Sequence, residues 1–399
     1  MVTSTAADAV GAACAQVDPA TPFGLYLHVP FCATRCGYCD FNTYTAGELG
    51  SSSSPESWQQ AVDRELAAAA SSLAPARPVS TIFVGGGTPS LLGARGLTRL
   101  LDAVRGHFDL DDDAEVTTES NPESTSPEFF EGLLDAGFTR ISLGMQSAAP
   151  HVLATLDRTH TPGRAVAAAR EAAAAGFAHV NLDLIYGTPG ETDDDLRRSL
   201  DAVLSAPVDH VSAYALIVED GTALARRIRR GELPAPDDDV LADRYRILDD
   251  RLTCAGLDWY EVSNWARPGG ECRHNLAYWY SHDWWGIGPG AHSHVNGARW
   301  WNLKHPARYA DALASDGLPI ADHELLGEAD RHTERVMLTT RLHSGLPAAE
   351  LDDDEKCCAR SLIGRGLLAE RDTAFVLTDA GRLLADAVVR DILLAGDKP

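Results

Sequence analysis

Residues 23–230 predict an α/β fold with a parallel sheet, on three observations. Short apolar runs recur at 24–29, 81–84, 115–120, 140–145, 179–185 and 210–217. Longer Ala- and Leu-rich stretches of helical pattern separate them, near 56–73, 91–107, 127–136, 163–175 and 192–204. Gly, Ser and Pro mark most of the junctions. A helix between successive strands is the crossover that parallel pairing requires. Periodicity leaves an open sheet and a partial barrel equally allowed. In either, residues that do chemistry belong at the C-terminal ends of the strands.

Outside that core the pattern changes. Residues 1–22 are rich in Ala, Ser and Thr and read as a flexible leader. Residues 47–55 form a Ser-rich loop. The polar, Pro-containing segment 231–239 precedes a helix at 238–254, and a stretch rich in Trp, His and Gly follows from Trp259 to Trp301. The chain from 231 to 327 therefore reads as a linker and an α+β region. Residues 328–399 read as a small winged-helix-like domain, with a recognition helix, a hairpin and a last helix. No internal repeat is visible.

The chain has 399 residues, enough for two or three domains. With 45 % hydrophobic and 23 % charged residues it has the composition of a soluble globular protein. A formal net charge of −24 argues against nucleic acid as a partner, because phosphates would be repelled. No run of about eighteen apolar residues occurs, so no transmembrane helix is expected. Residues 1–21 lack the basic region and apolar core of a signal peptide. Clustered cysteines without such a signal point to the reducing cytoplasm.

Three of the eight cysteines stand within eight positions, in Cys32-Ala-Thr-Arg-Cys36-Gly-Tyr-Cys39-Asp-Phe41, directly after the first apolar run. Thiolates are soft ligands for iron–sulfur clusters, zinc or copper(I). The spacing is Cys-x3-Cys-x2-Cys, and the next cysteine is Cys254. A cubane held by three thiolates keeps one iron open. A structural zinc site of His28 and the three cysteines is the plain alternative, although zinc fingers usually set their ligands in two separated pairs.

Gly85-Gly-Gly-Thr-Pro-Ser90 follows the second run, where glycines let the backbone approach a ligand closely. A tight turn alone would explain it equally. Glu119 and Asn121 end the third run and would also serve as a helix cap. Asp183 lies inside an apolar run, and a buried carboxylate needs a partner such as an arginine or a ribose hydroxyl. The Asp runs at 111–113, 193–195, 237–239 and 352–354 read as solvated surface and helix N-termini. Cys14, Cys254, Cys357 and Cys358 carry no motif.

The cysteine spacing resembles the signature of the radical S-adenosylmethionine superfamily, and residues 24–302 are similar in order and wording to the HemW family. HemW proteins are relatives of the oxygen-independent coproporphyrinogen III dehydrogenases. The resemblance implies a partial (β/α)6 radical S-adenosylmethionine barrel over 23–230. It implies a 4Fe–4S cluster on Cys32, Cys36 and Cys39, whose open iron would chelate the methionine end of the cofactor. By the same resemblance Tyr26, Gly86 and Glu119 would contact one S-adenosylmethionine. Tyr38, Gly87, Thr88, Gln146, Arg158 and Asp183 match positions that contact cofactor in the dehydrogenases, which bind a second molecule.

The dehydrogenases carry a further cysteine two positions after the third ligand, where this chain has Phe41. His274, Asn275, Tyr278 and Trp279 match the His-Asn-x-x-Tyr-Trp motif of HemW. Imidazole is a usual axial ligand of heme iron, and aromatic neighbours would cover the macrocycle. His274 is therefore the expected heme ligand, with Cys272, His292 and His294 as competitors; Ile287–Ser293 would close the barrel mouth. The function implied is a heme chaperone that passes heme to acceptor proteins. The rival is oxidative decarboxylation of coproporphyrinogen III, begun by a 5′-deoxyadenosyl radical that takes hydrogen from a propionate. A third reading is a zinc-stabilised scaffold without redox chemistry. A homodimer and transient contact with membrane-bound acceptors stay open.

Overall fold

A computed structural model describes residues 6–50, 53–73, 75–158, 161–315 and 317–396. The six apolar runs pair in chain order as parallel strands, β1 (Phe23–Val29), β2 (Val79–Gly86), β3 (Leu110–Ser120), β4 (Arg140–Gln146), β5 (His179–Tyr186) and β6 (His210–Ala215). A parallel strand is covered on both faces, which is why these read as continuous apolar runs rather than alternating ones. Leu25, Leu27 and Val29 of β1 are fully buried, as are Leu182 and Leu184 of β5. The intervening helices, Pro55–Ser72, Gly93–His107, Pro127–Ala136, Arg164–Ala175 and Asp193–Leu204, fall within two residues of the expected bounds. Ser54, Ser126 and Thr192 cap three of them by accepting backbone N–H bonds.

The sheet continues past both ends of this set. Beyond β6 lie β7 (Asp258–Glu261) and β8 (Asn264–Ala266), with β8 antiparallel to β6. Beyond β1 lies β9 (Asp283–Ile287), parallel to it. The antiparallel strands β10 (His292–Val295), β11 (Ala298–Asn302) and β12 (Ile320–Leu325) follow. The result is one open sheet of twelve strands whose edges are β12 and β7.

The leader expectation is corrected from residue 6 onward. Ala6–Cys14 is a helix that turns Ala9, Val10 and Cys14 inward against β10, β11 and β12. Arg77 donates to the carbonyls of Asp18 and Thr21 at 3.2 and 3.4 Å. Small residues suited a mobile tail by composition, yet Ala9, Val10 and Cys14 share a helical face and their burial orders the segment. Residues 1–5 lie outside the described residues.

The C-terminal region has its own core of Val336, Leu346, Leu362, Phe375, Val388 and Ile392. Helices Glu328–Thr339, Asp353–Gly364 and Ala385–Gly396 pack on β13 (Leu346–Pro347), β14 (Leu368–Arg371) and β15 (Ala374–Leu377), the helix–hairpin–helix outline of a winged helix. No helix among the described residues is long and apolar enough to cross a membrane.

Glu65, on the helix Pro55–Ser72, is completely buried and ties this helix to the end of β9, to β11 and to the helix Pro306–Ala314. Its carboxylate accepts from the Gly288 N–H at 2.8 Å, from Asn302 Nδ2 at 2.7 Å and from the Tyr309 hydroxyl. Burial pushes its pKa up to about 7. Unfolded, a glutamate releases its proton near pH ~4.3, so between these values the native state holds more protons. Stability contributed by protonated Glu65 is then lost as pH rises through that window. Glu65→Gln should reduce the loss of unfolding free energy between pH 5 and 8 by on the order of 1–3 kcal/mol. Denaturant titrations at both pH values would measure it, and an unchanged pH slope would refute it.

Candidate functional site

The stretch from Phe31 to Tyr44 leaves the C-terminal end of β1 as a pinched loop. Cys32 N donates to Tyr44 O at 3.0 Å, and Tyr44 N to Pro30 O at 2.7 Å. Asn42 Nδ2 donates to the carbonyls of Pro289 and Lys304 at 2.9 and 2.8 Å, fixing the loop against the β9–β10 turn and the segment after β11. All three cysteines are free thiols, half-buried. Cys39 N donates to Cys36 O at 3.2 Å, Thr88 Oγ1 to Cys32 Sγ at 3.7 Å and Arg158 Nη1 to Cys36 Sγ at 3.3 Å. Among the described residues no three His, Cys, Asp or Glu side chains converge on one metal point. A single zinc ion needs such convergence. Thiolates on separate corners of a cubane do not.

The glycine turn sits beside this loop because β1 and β2 are neighbours. Gly87 N donates to Val29 O and Thr88 N to Phe31 O, both at 2.8 Å. Gly86 has φ +103°, and a Cβ there would lie 2.6 Å from the His28 ring. At Gly87 a Cβ would lie 2.5 Å from Phe31 O. Gly86 N donates to Glu119 Oε2 at 3.1 Å, which joins the turn to the end of β3.

The other expected residues line the same end of the sheet. Gln146 follows a bulge in β4 with φ +61°, and its Oε1 is buried without a partner among the described residues. Arg158 Nε is buried and unpartnered likewise, while its Nη2 reaches Gly144 O at 3.3 Å. Buried polar atoms call for a partner, and a ligand at this end of the sheet would supply one to both. Asp183 accepts from Ser142 Oγ at 3.1 Å and from Asn181 Nδ2 at 2.6 Å. Tyr26 bonds His28 Nδ1 at 3.0 Å through its hydroxyl. Tyr38 packs in a small apolar cluster with Leu156 and Leu216.

A cavity of about 140 Å³ lies inward of these residues, walled by Tyr26, Glu119, Asp183, His274 and Tyr278 among others. Burial drives its titratable groups toward their neutral forms: Glu119 is raised to about 8, Asp183 is raised, and His274 is lowered to about 4. An interior of neutral, hydrogen-bonding groups suits a polar ligand better than a bare charge.

The His-Asn-x-x-Tyr-Trp motif forms the helix Arg273–Trp279. Its entry is held by the buried pair of Glu115 and Arg140, in which Arg140 Nε donates to Glu115 Oε2 at 3.2 Å. Glu115 also accepts the N–H groups of Arg273 and His274, both at 3.0 Å. Arg140 donates to the Gly270 and Glu271 carbonyls. The His274 ring stacks 5.3 Å from Phe83. Its Nδ1 bonds Thr81 Oγ1 and its Nε2 bonds the Tyr278 hydroxyl, each at 2.8 Å. Ligation of heme by His274 would therefore require giving up one of these bonds. Neither Thr81 nor the Glu115–Arg140 pair could be found from sequence, since they meet the motif across more than one hundred residues.

The comparisons with known proteins decide the family. Residues 26–203 match the Radical SAM superfamily, whose members use a 4Fe–4S cluster and S-adenosylmethionine. The protein named heme chaperone HemW from Mycobacterium tuberculosis is 64 % identical over 375 residues, covering 94 % of this chain and 96 % of that protein. The chain belongs to the HemW family. The proteins of that name from Lactococcus lactis and Escherichia coli are each 33 % identical, covering 94 % and 92 % of this chain and 98 % and 97 % of their own. Among solved structures, that of coproporphyrinogen III oxidase from Escherichia coli, a radical SAM enzyme, superposes with a TM-score of 0.82. It covers 98 % of this chain and 93 % of its own at 24 % identity, a likeness of fold. HemW membership thus rests on 94 % of the chain, well beyond residues 26–203.

Proposed function

We propose that this protein takes up heme and hands it to acceptor proteins, acting as a heme chaperone on a radical S-adenosylmethionine core. The observation that carries this reading is the 64 % identity over 94 % of the chain to a protein named for that role. Cys32, Cys36 and Cys39 would hold the 4Fe–4S cluster. When bound, that cluster supplies an electron and one open iron for the amino and carboxylate groups of S-adenosylmethionine. Gly86 and Gly87 let the backbone come close enough to meet the methionine end, and Glu119, held by the Gly86 N–H, faces the same place. Tyr26 closes the wall beside them. Arg158 and Gln146, with Nε and Oε1 unpartnered among the described residues, can bond the rest of a cofactor, and Tyr38, Thr88 and Asp183 frame them.

Phe41 separates this reading from its rival. It stands where the dehydrogenases carry a further cysteine, and it is 57 % exposed on the cysteine loop. Anaerobically reconstituted protein, reduced and supplied with S-adenosylmethionine, should be offered heme and coproporphyrinogen III side by side. A Soret band is expected from bound heme, with no more than a trace of protoporphyrinogen IX in the product analysis. Sustained decarboxylation would overturn the chaperone reading whatever the heme result.

A further inference from the structure

We propose that heme binds in the cleft between β10 and the helix Glu328–Thr339, with His292 as its axial ligand; this rests on the chaperone reading above. The cleft is about 570 Å³, within the range of about 300–1,000 Å³ that ligand and cofactor sites occupy. The cavity beside His274 is about 140 Å³ and falls below it. A porphyrin macrocycle therefore has room in the first and none in the second.

Three imidazoles line the cleft, and their hydrogen bonds rank them. His28 uses Nδ1 with the Tyr26 hydroxyl at 3.0 Å and Nε2 with Asn42 O at 2.9 Å. His294 uses Nδ1 with His282 O at 3.1 Å. Neither ring nitrogen of His292 has a partner among the described residues. Its side chain is exposed at the start of β10, and its ring stacks on Trp301 at 5.6 Å, an orientation fixed by packing alone. Partial burial and the nearby cations Lys304 and Arg299 lower its pKa, so the lone pair is free at neutral pH. An imidazole without a hydrogen-bond obligation can give its nitrogen to iron without loss of structure.

The rest of the cleft suits the macrocycle. Trp284 and Met337 line it, and Met337 is 37 % exposed for a large apolar side chain. Aromatic and thioether side chains pack well on porphyrin, and methionine with histidine is a known axial pair. Lys304 lines the same cleft with no carboxylate partner among the described residues, whereas Arg299 is engaged by Glu324 and Glu334. In a chain of net charge −24, one free ammonium is the group to receive an anionic propionate. Asp40, Phe41 and Asn42 of the cluster loop form the opposite wall, which sets the cargo against the loop that bears Cys39.

The test is a heme titration of the reconstituted protein followed at the Soret band. His292→Ala should weaken binding by tenfold or more and shift the band, with the iron of the cluster retained. Added imidazole should restore the band in that variant, because a vacated axial position accepts a free ligand. Met337→Leu should alter the spectrum more than the affinity, and Lys304→Glu should weaken binding severalfold. Wild-type protein that binds heme, together with a His292→Ala variant of the same affinity and spectrum, would overturn this site and leave the chaperone reading standing. So would loss of binding confined to His274→Ala with an intact cluster. Wild-type protein that takes up no heme overturns the chaperone reading and this site with it.

Discussion

Cys36→Ala should reduce iron from about four per chain to a trace after anaerobic reconstitution, and remove the visible absorbance of the cluster. Each thiolate of a three-cysteine cubane holds its own iron, so no neighbour can take over a missing corner. Cys272 is buried and donates to Glu115, and Cys254 ends a helix that packs beside β7. The fold should survive the change. Cys36 is half-buried on a loop whose base is held by backbone bonds at Cys32 and Tyr44, away from the sheet core. Stability of the apo-protein should therefore move by no more than about 0.5 kcal/mol, as for a surface substitution. Iron and zinc analysis decides the outcome. Stoichiometric zinc in place of iron in the wild-type protein would return the site to the structural Cys3His reading.

The parts of the fold that sequence made legible were those with local causes. The six parallel strands are short apolar runs between capped helices, and both signals lie within a few residues of each other. The strands β7 to β12 were not separated in this way. Three to six residues long, they fall in or beside a stretch whose Trp, His and Gly content hides alternation, and β9 pairs with β1 across some 260 residues. The leader failed for the opposite reason: its composition suggested mobility, but Val10 and Cys14 find a sheet face that no local pattern announces.

The site shows the same division. The nearness of the cysteine loop to the glycine turn was legible, because each directly follows one of two consecutive apolar runs that pair as β1 and β2. The environment of His274 was not. The Tyr278 bond is local to the motif helix, but the bond to Thr81 and the Glu115–Arg140 pair beneath it are set by strand order. A motif histidine can thus be a wall of the interior while a histidine outside the motif, such as His292, keeps its nitrogens free.

Gly87→Val should abolish the spectral response of the reduced cluster to S-adenosylmethionine, and Gly87→Ala should weaken it by at least tenfold. The cause is backbone, not side chain. A Cβ at Gly87 would lie 2.5 Å from Phe31 O and 2.9 Å from Val29 O. Both carbonyls are already bonded, to Thr88 N and Gly87 N, so neither can retreat without opening the turn. Overpacking of this kind costs on the order of 1–3 kcal/mol. Here the strain falls on the contact between the glycine turn and the cluster loop, because Phe31 precedes Cys32. Gly47→Ala is the control, since nothing lies within 4 Å of a Cβ there. Cofactor titrations followed by electron paramagnetic resonance, with iron content measured in parallel, separate loss of cofactor from loss of cluster. A wild-type response in Gly87→Val would show that the methionine end of the cofactor does not approach this turn.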